Sequence, residues 1–240
     1  MDLQKIVSRI AEGLTAVDRL DEGGRSNRRT GEPYLKGLKT MSEREVTKRL
    51  AEWWPSAHPE DFMGKIVVES ETPYPKFPRD RCDLLVRDVE SDKPVWAIEV
   101  KHIALVGDNG KNNDFGVTKM LSPYLKDRSL RHDVIRLRES GFDCESATVV
   151  YSFSYSLQSI KEAYERYPMY SDRIREIERV RFSAQDERGV YSIEPMVQLA
   201  THMLTTEGLV AETAATQFSD AWAHPCGGTG IVAAWKIKVA

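Results

Sequence analysis

The sequence predicts an α/β protein, a mixed central sheet flanked by helices on both faces. Three observations point there. Short apolar or β-branched runs recur between breaker-rich turns, at residues 65–71, 82–87, 95–100, 147–155 and 231–239. Apolar stripes at helical spacing precede and separate them. The order along the chain is helix, strand, hairpin, helix, strand, helix, which suits a layered α/β/α core. At 240 residues the chain is long enough to bury a substantial core. Three segments are expected: residues 1–40 as an N-terminal helix and basic loop, 41–156 as the α/β core, and 157–240 as a helical extension with a final strand, packed on the core as one domain.

The first element spans Leu3 to Leu20, with Ile6, Ile10, Leu14 and Val17 on one helical stripe. Asp21 to Gly31 is breaker-rich and clusters Arg25, Arg28 and Arg29, either as a solvated linker or as a basic arm that meets phosphates. Ser42 to Trp54 reads as a helix ended by Pro55, with Ser42 and Glu45 in a capping-box pattern and Val46, Leu50 and Trp53 as its apolar stripe. Glu45 sits at the edge of that stripe, where it can turn toward a metal, though capping alone also accounts for it. A strand at 65–71 and a connector with Pro73, Pro75 and Pro78 follow.

The hairpin from Arg81 to His102 concentrates the chemistry. Cys82 to Arg87 is a strand opened by Asp83, and Val95 to Val100 is its partner. In the second strand Trp96, Ile98 and Val100 share one face, while Ala97, Glu99 and Lys101 share the other. Antiparallel pairing brings Asp83 beside Glu99. Two carboxylates and a lysine at a strand end suit a hard divalent cation and an anionic substrate. Asp80 is the alternative to Asp83, but the two point to opposite faces of an extended chain, and Asp83 adjoins the apolar run.

Beyond the hairpin, GDNGKN (residues 107–112) fails as a Walker A loop, because Leu105 stands where its first glycine belongs and Asn112 where Ser or Thr belongs. With Lys111 it is better placed to contact a nucleic-acid backbone. Val117 to Leu137 reads as helix in two parts, broken near Ser122-Pro123. Lys101 to Ser140 holds eight Lys/Arg against five Asp/Glu, either a phosphate-facing surface or an ordinary solvated face. Lys119 and Arg128 are its candidate phosphate contacts. Ala147 to Tyr155 is a central strand, Leu157 to Tyr167, Ser171 to Val180, Ile193 to Leu204 and Ala211 to Trp222 are helices, and Ile231 to Val239 is a strand. HPCGGTG (224–230) is a turn, since one His and one Cys cannot make a zinc site.

Asp83, the Glu99-Val100-Lys101 run and an upstream helix bearing Glu45 or Glu43 resemble the PD-(D/E)xK nuclease superfamily over roughly residues 41–155. Cys82 departs from the proline of that pattern. The resemblance implies a restriction-endonuclease-like core that cleaves double-stranded DNA, most often as an endonuclease of restriction, repair or mobile-element defence. It implies Mg²⁺, with Mn²⁺ as a substitute, held by Asp83, Glu99 and the carbonyl of Val100, with Glu45 serving a second ion or a water. Lys101 would orient the attacking water, and a homodimer would cut both strands. A non-cleaving nucleic-acid-binding protein on the same fold is the alternative, and an interaction protein with a mere Glu99–Lys101 pair is a third.

Composition limits the classes. A net charge of −3 argues against a polycationic nucleic-acid coat but not against a nuclease with one basic cleft. Three widely spaced cysteines, Cys82, Cys144 and Cys226, fit a reducing cytoplasm. No apolar run approaches the ~20 residues of a membrane span, so a cytosolic protein is expected.

Overall fold

The computed structural model describes residues 1–26, 30–31, 33–34, 36–62, 66–104, 115–156, 190–221 and 228–238. Its centre is a six-stranded mixed sheet. The strands are β1 (Ile66–Pro73), β2 (Arg81–Asp88), β3 (Pro94–His102), β4 (Glu145–Phe153), β7 (Val210–Phe218) and β8 (Gly230–Ile237), in the order β1-β2-β3-β4-β8-β7. Only β3 and β4 run parallel; every other neighbour is antiparallel. A two-stranded ribbon of β5 (Tyr155–Ser156) and β6 (Val190–Tyr191) stands apart.

Helices cover both faces. Helix α1 (Leu3–Arg19) is capped by the Asp2 carboxylate, which accepts from the Lys5 amide, and it buries Ile6, Ile10, Leu14 and Val17 as its spacing demands. It lies over β7 and β8. Helix α2 (Glu43–Ala57) starts at Ser42, whose side chain accepts from the Glu45 amide, and it packs on α1 and β1. On the opposite face are α3 (Phe115–Leu121), α4 (Leu130–Glu139) and α5 (Glu194–Thr206). Register identifies that face. Trp235 sits beside Thr148, which pairs with Glu99, and the Trp235 indole donates to Thr201 of α5.

Two expectations need correction. Pro55 does not end its helix but lies within the last turn. Only Ser56 and Ala57 follow it, and the His58 amide still bonds the Trp54 carbonyl, so the missing N–H is tolerated at this end. Ala211 to Trp222 is not a helix. Residues 210–218 form edge strand β7, paired with β8 along its length except at Ala211. Its buried positions are Val210, Ala214 and Phe218, a four-residue spacing that imitates a helix. A register shift between Val210 and Glu212 breaks the alternation, and pairing with β8 overrides local propensity. The sheet therefore takes two strands from the segment 157–240. The expected helices at 157–167 and 171–180, and the loop bearing Lys111, lie outside the described residues.

Gly230 shows how tightly β8 is inserted. A Cβ there would overlap the Ser152 carbonyl and the Phe218 ring, so no larger residue fits. The basic loop after α1 is likewise anchored at its near end. The carboxylates of Asp18 and Asp21 accept from the Leu38 and Gly37 amides, both at 2.6 Å. Arg25 forks onto Asp21 at 2.9 and 2.6 Å, so it braces the loop instead of offering itself to phosphate; Arg28 and Arg29 lie outside the described residues. No helix among the described residues is long and apolar enough to cross a membrane.

Candidate active site

The β2–β3 ladder pairs Leu84 with Ile98, so one step outward Asp83 stands opposite Glu99. Asp83 is fixed by its neighbour strand: its Oδ2 accepts the Val100 amide at 2.8 Å. Glu99 is buried, 6% exposed, and its Oε1 accepts from the Tyr74 hydroxyl. Lys101, two residues on and on the same face, reaches Asp133 Oδ2 of α4 at 2.8 Å. One helical turn further, Arg136 Nη2 lies 3.1 Å from Asp133 Oδ1 and 3.1 Å from Glu99 Oε1. The four charges form an alternating chain, Lys101–Asp133–Arg136–Glu99.

Burial dominates the electrostatics. It pushes Asp83 up to about 6, against the stabilising Val100 amide. It drives Glu99 well above the usual carboxylate range, with Asp83 and Asp133 adding repulsion. For Lys101 burial acts downward, but Asp133, Glu43 and Glu99 outweigh it and the net shift is upward. The lysine is thus an ammonium at neutral pH. Among the described residues, Glu43, Asp83, Glu99 and Asp133 act on one another here together with the cations Lys101 and Arg136. The oxygen donors of Asp83 and Glu99 fit a hard divalent cation, whose charge would offset the repulsion between the two acids.

The upstream acid differs from the one favoured above. Glu45 is not at the site: its Oε1 is held by Arg25 at 3.2 Å and Arg49 at 2.8 Å. It lies in the third position of α2, one turn before Arg49, and both guanidiniums claim it. Glu43, at the first position, instead reaches the end of β3, where its Oε1 accepts the His102 amide at 2.9 Å. Asp80 stays in the turn before β2, its carbonyl accepting from the Tyr74 amide. Lys119 on α3 and exposed Arg128, which adopts φ +47° just before α4, form no ion pair among the described residues. The structure does not bring either against Asp83, Glu99 or Lys101. Cys82, standing where proline was expected, is buried with its thiol directed at the Leu84 carbonyl.

Sequence reasoning missed Asp133, Arg136 and Tyr74. Asp133 sits between the buried Leu130, Val134 and Leu137, and an acid on the apolar stripe of a helix was the available signal. His102 was also missed. Its ring stacks on Tyr151 at 4.7 Å, and both His102 Nε2 and the Tyr151 hydroxyl are buried without a partner. Burial, then nearby Lys39, pull His102 down to about 3.

That shift predicts an acid-sensitive fold. Between pH 6.5 and 3 the unfolded chain binds a proton at His102 that the native protein refuses, so stability falls as pH drops below 6.5. Relative to His102→Phe, the wild type is expected to lose about 2 kcal/mol between pH 8 and pH 5, read from urea unfolding. An equal pH response in both proteins would sink the assignment.

A second acidic group, His58, Glu60 and Asp61, gathers potential ligand atoms. Cations of the chain already occupy it, since Asp61 receives Lys5 and Arg9 at 2.6 Å each and Glu60 is paired with Arg9. It is an ion-pair network joining α1 to the end of α2.

Compared with protein-family models, curated proteins and solved structures, the chain matched none. The functional reading rests on the site itself.

Proposed function

We propose that this protein is a metal-dependent phosphodiesterase that cleaves double-stranded DNA, a cytosolic endonuclease of the PD-(D/E)xK kind serving restriction, repair or mobile-element defence. The observation that carries the reading is the cross-strand pair Asp83–Glu99 with Lys101 on the same face of the sheet. Asp83, Glu99 and the Val100 carbonyl would hold Mg²⁺ or Mn²⁺, with Glu43 in the part first expected of Glu45. The bound cation supplies a Lewis acid for the phosphate and for water.

The chain's own residues do the rest. The Val100 amide aims Asp83, and Tyr74, whose hydroxyl is kept protonated by burial and by Glu99, orients Glu99. Lys101, held as an ammonium by Asp133, is a hydrogen-bond donor and not a general base. It orients the attacking water and meets the charge that develops on the phosphate. A homodimer would present two such sites to the two strands.

The test is cleavage of supercoiled plasmid in Mg²⁺ or Mn²⁺. The wild type is expected to nick or linearise it, EDTA to stop the reaction, and Lys101→Ala to slow it about 10²-fold. Cleavage that survives both EDTA and Lys101→Ala refutes the reading. So does metal-dependent duplex binding with no cut in any DNA, which would leave a non-cleaving binding protein.

A further inference from the structure

Arg136 has no part in the mechanism above, yet it is built into the centre of the site. Its Nη2 is shared between Asp133 and Glu99 at 3.1 Å each, and the guanidinium lies over the Tyr74 ring, 5.5 Å from its centroid. Its Nε is buried without a partner. The side chain is still 32% exposed, so part of it remains open to solvent. Lys101 is 11% exposed and bound to Asp133, which leaves Arg136 as the more accessible cation of the pair.

A guanidinium stays charged under all working conditions and presents five donors in a planar fork that matches two phosphate oxygens. Here two acids share one of its nitrogens. A divalent cation held by Glu99 would compete for the same carboxylate and repel the guanidinium at contact range. Asp133, 3.1 Å from Arg136 Nη2, would keep its own hold, so Arg136 would lose one anion and stay tethered at the site. A phosphodiester could then take the place of the lost anion.

We infer that Arg136 is a phosphate-contacting residue of this site, released for that task when a divalent cation takes over Glu99. The inference rests on the metal-dependent reading above and names a substrate contact outside its motif.

Two measurements on the full chain test it: the thermal shift produced by Ca²⁺, and anisotropy of a fluorescein-labelled DNA duplex with and without Ca²⁺ at low salt. The wild type is expected to bind Ca²⁺ and to bind the duplex more tightly when Ca²⁺ is present. Arg136→Gln is expected to melt earlier without cation, because Glu99 and Asp133 lose their guanidinium. It is expected to bind Ca²⁺ at least about threefold tighter, the competing charge being gone, and the duplex about tenfold more weakly. Arg136→Lys should restore part of the duplex affinity. A lower melting point with unchanged Ca²⁺ and duplex affinities makes Arg136 a packing residue and overturns the inference alone. A wild type with neither a Ca²⁺ shift nor Ca²⁺-dependent duplex binding overturns it together with the nuclease reading.

Discussion

Asp83→Asn is expected to make the metal-free protein more stable while lowering Mg²⁺-dependent DNA cleavage about 10³-fold. The two effects have one cause. Asp83 faces Glu99 across the ladder, with Glu43 and Asp133 near, and burial has pushed its carboxyl up to about 6. At pH 7.5 the native protein therefore holds a charge it resists. A shift of this size corresponds to ~3 kcal/mol, which residual solvent screening of a partly buried side chain reduces to roughly 2 kcal/mol. Asparagine keeps an oxygen for the Val100 amide, so geometry survives while the charge does not. The sign follows from proton counting. Native Asp83 binds a proton that the unfolded chain has released between its ordinary value of 3.8 and about 6, so the gain is full above pH 6 and fades toward pH 4. Urea unfolding in EDTA, run beside the plasmid assay, reads both. A variant that is less stable than wild type at pH 7.5 would show that the Asp83 charge is not under electrostatic load.

Asp61→Ala is expected to cost about 3 kcal/mol, leaving buried donors unmatched. The Asp61 side chain is fully buried, and it receives Lys5 Nζ and Arg9 Nε at 2.6 Å and the Trp54 indole at 3.1 Å. Burial alone would raise its carboxyl, but Arg9, Lys5 and Trp54 hold it well below the usual carboxylate range. Trp54 is itself among the largest buried side chains, so truncation leaves its buried indole N–H without the Asp61 acceptor. For a chain of this size the melting point should fall by about 6–12 °C. Asp61→Asn, which retains an acceptor, should lose less. The stabilisation is present above the unfolded pKa of 3.8 and disappears as pH falls below it, so variant and wild type should converge in acid. A loss under about 1 kcal/mol at pH 7 would mean that water serves Trp54 and Arg9 as well as Asp61 does.

The hairpin was the most legible part of the chain because alternation and burial agree there. Residues 82–87 and 95–100 lie inside β2 and β3, and the one-residue parity that put Glu99 and Lys101 on one face follows from the strand period. Helix α1 was equally plain, its stripe being regular. The reading failed where tertiary pairing overrode local pattern. In β7 an irregular register produced helix-like spacing. The choice between Glu43 and Glu45 turned on Arg25 and Arg49, and Arg25 comes from a separate loop whose proximity no local spacing encodes. Asp133 and Arg136 were hidden for a different reason. In sequence they look like solvated charges, and only the docking of α4 onto β3 shows that they face inward.

The position of β8 has a consequence for the order in which the molecule is made. This strand lies between β4 and β7, yet of the six strands in the sheet it is the last to be synthesised. From the time Phe153 leaves the ribosome until Ile237 does, a further 84 residues (237 minus 153) must be added, which takes roughly 4–17 s at bacterial-to-eukaryotic elongation speeds. Throughout that interval the edge of β4 that pairs with β8 in the finished sheet lacks that partner, directly beside the strand that carries Glu99 and Lys101. Nascent chains are therefore most vulnerable to cross-pairing with one another on the flank of the site, and a chain cut short before residue 230 keeps that vulnerability permanently.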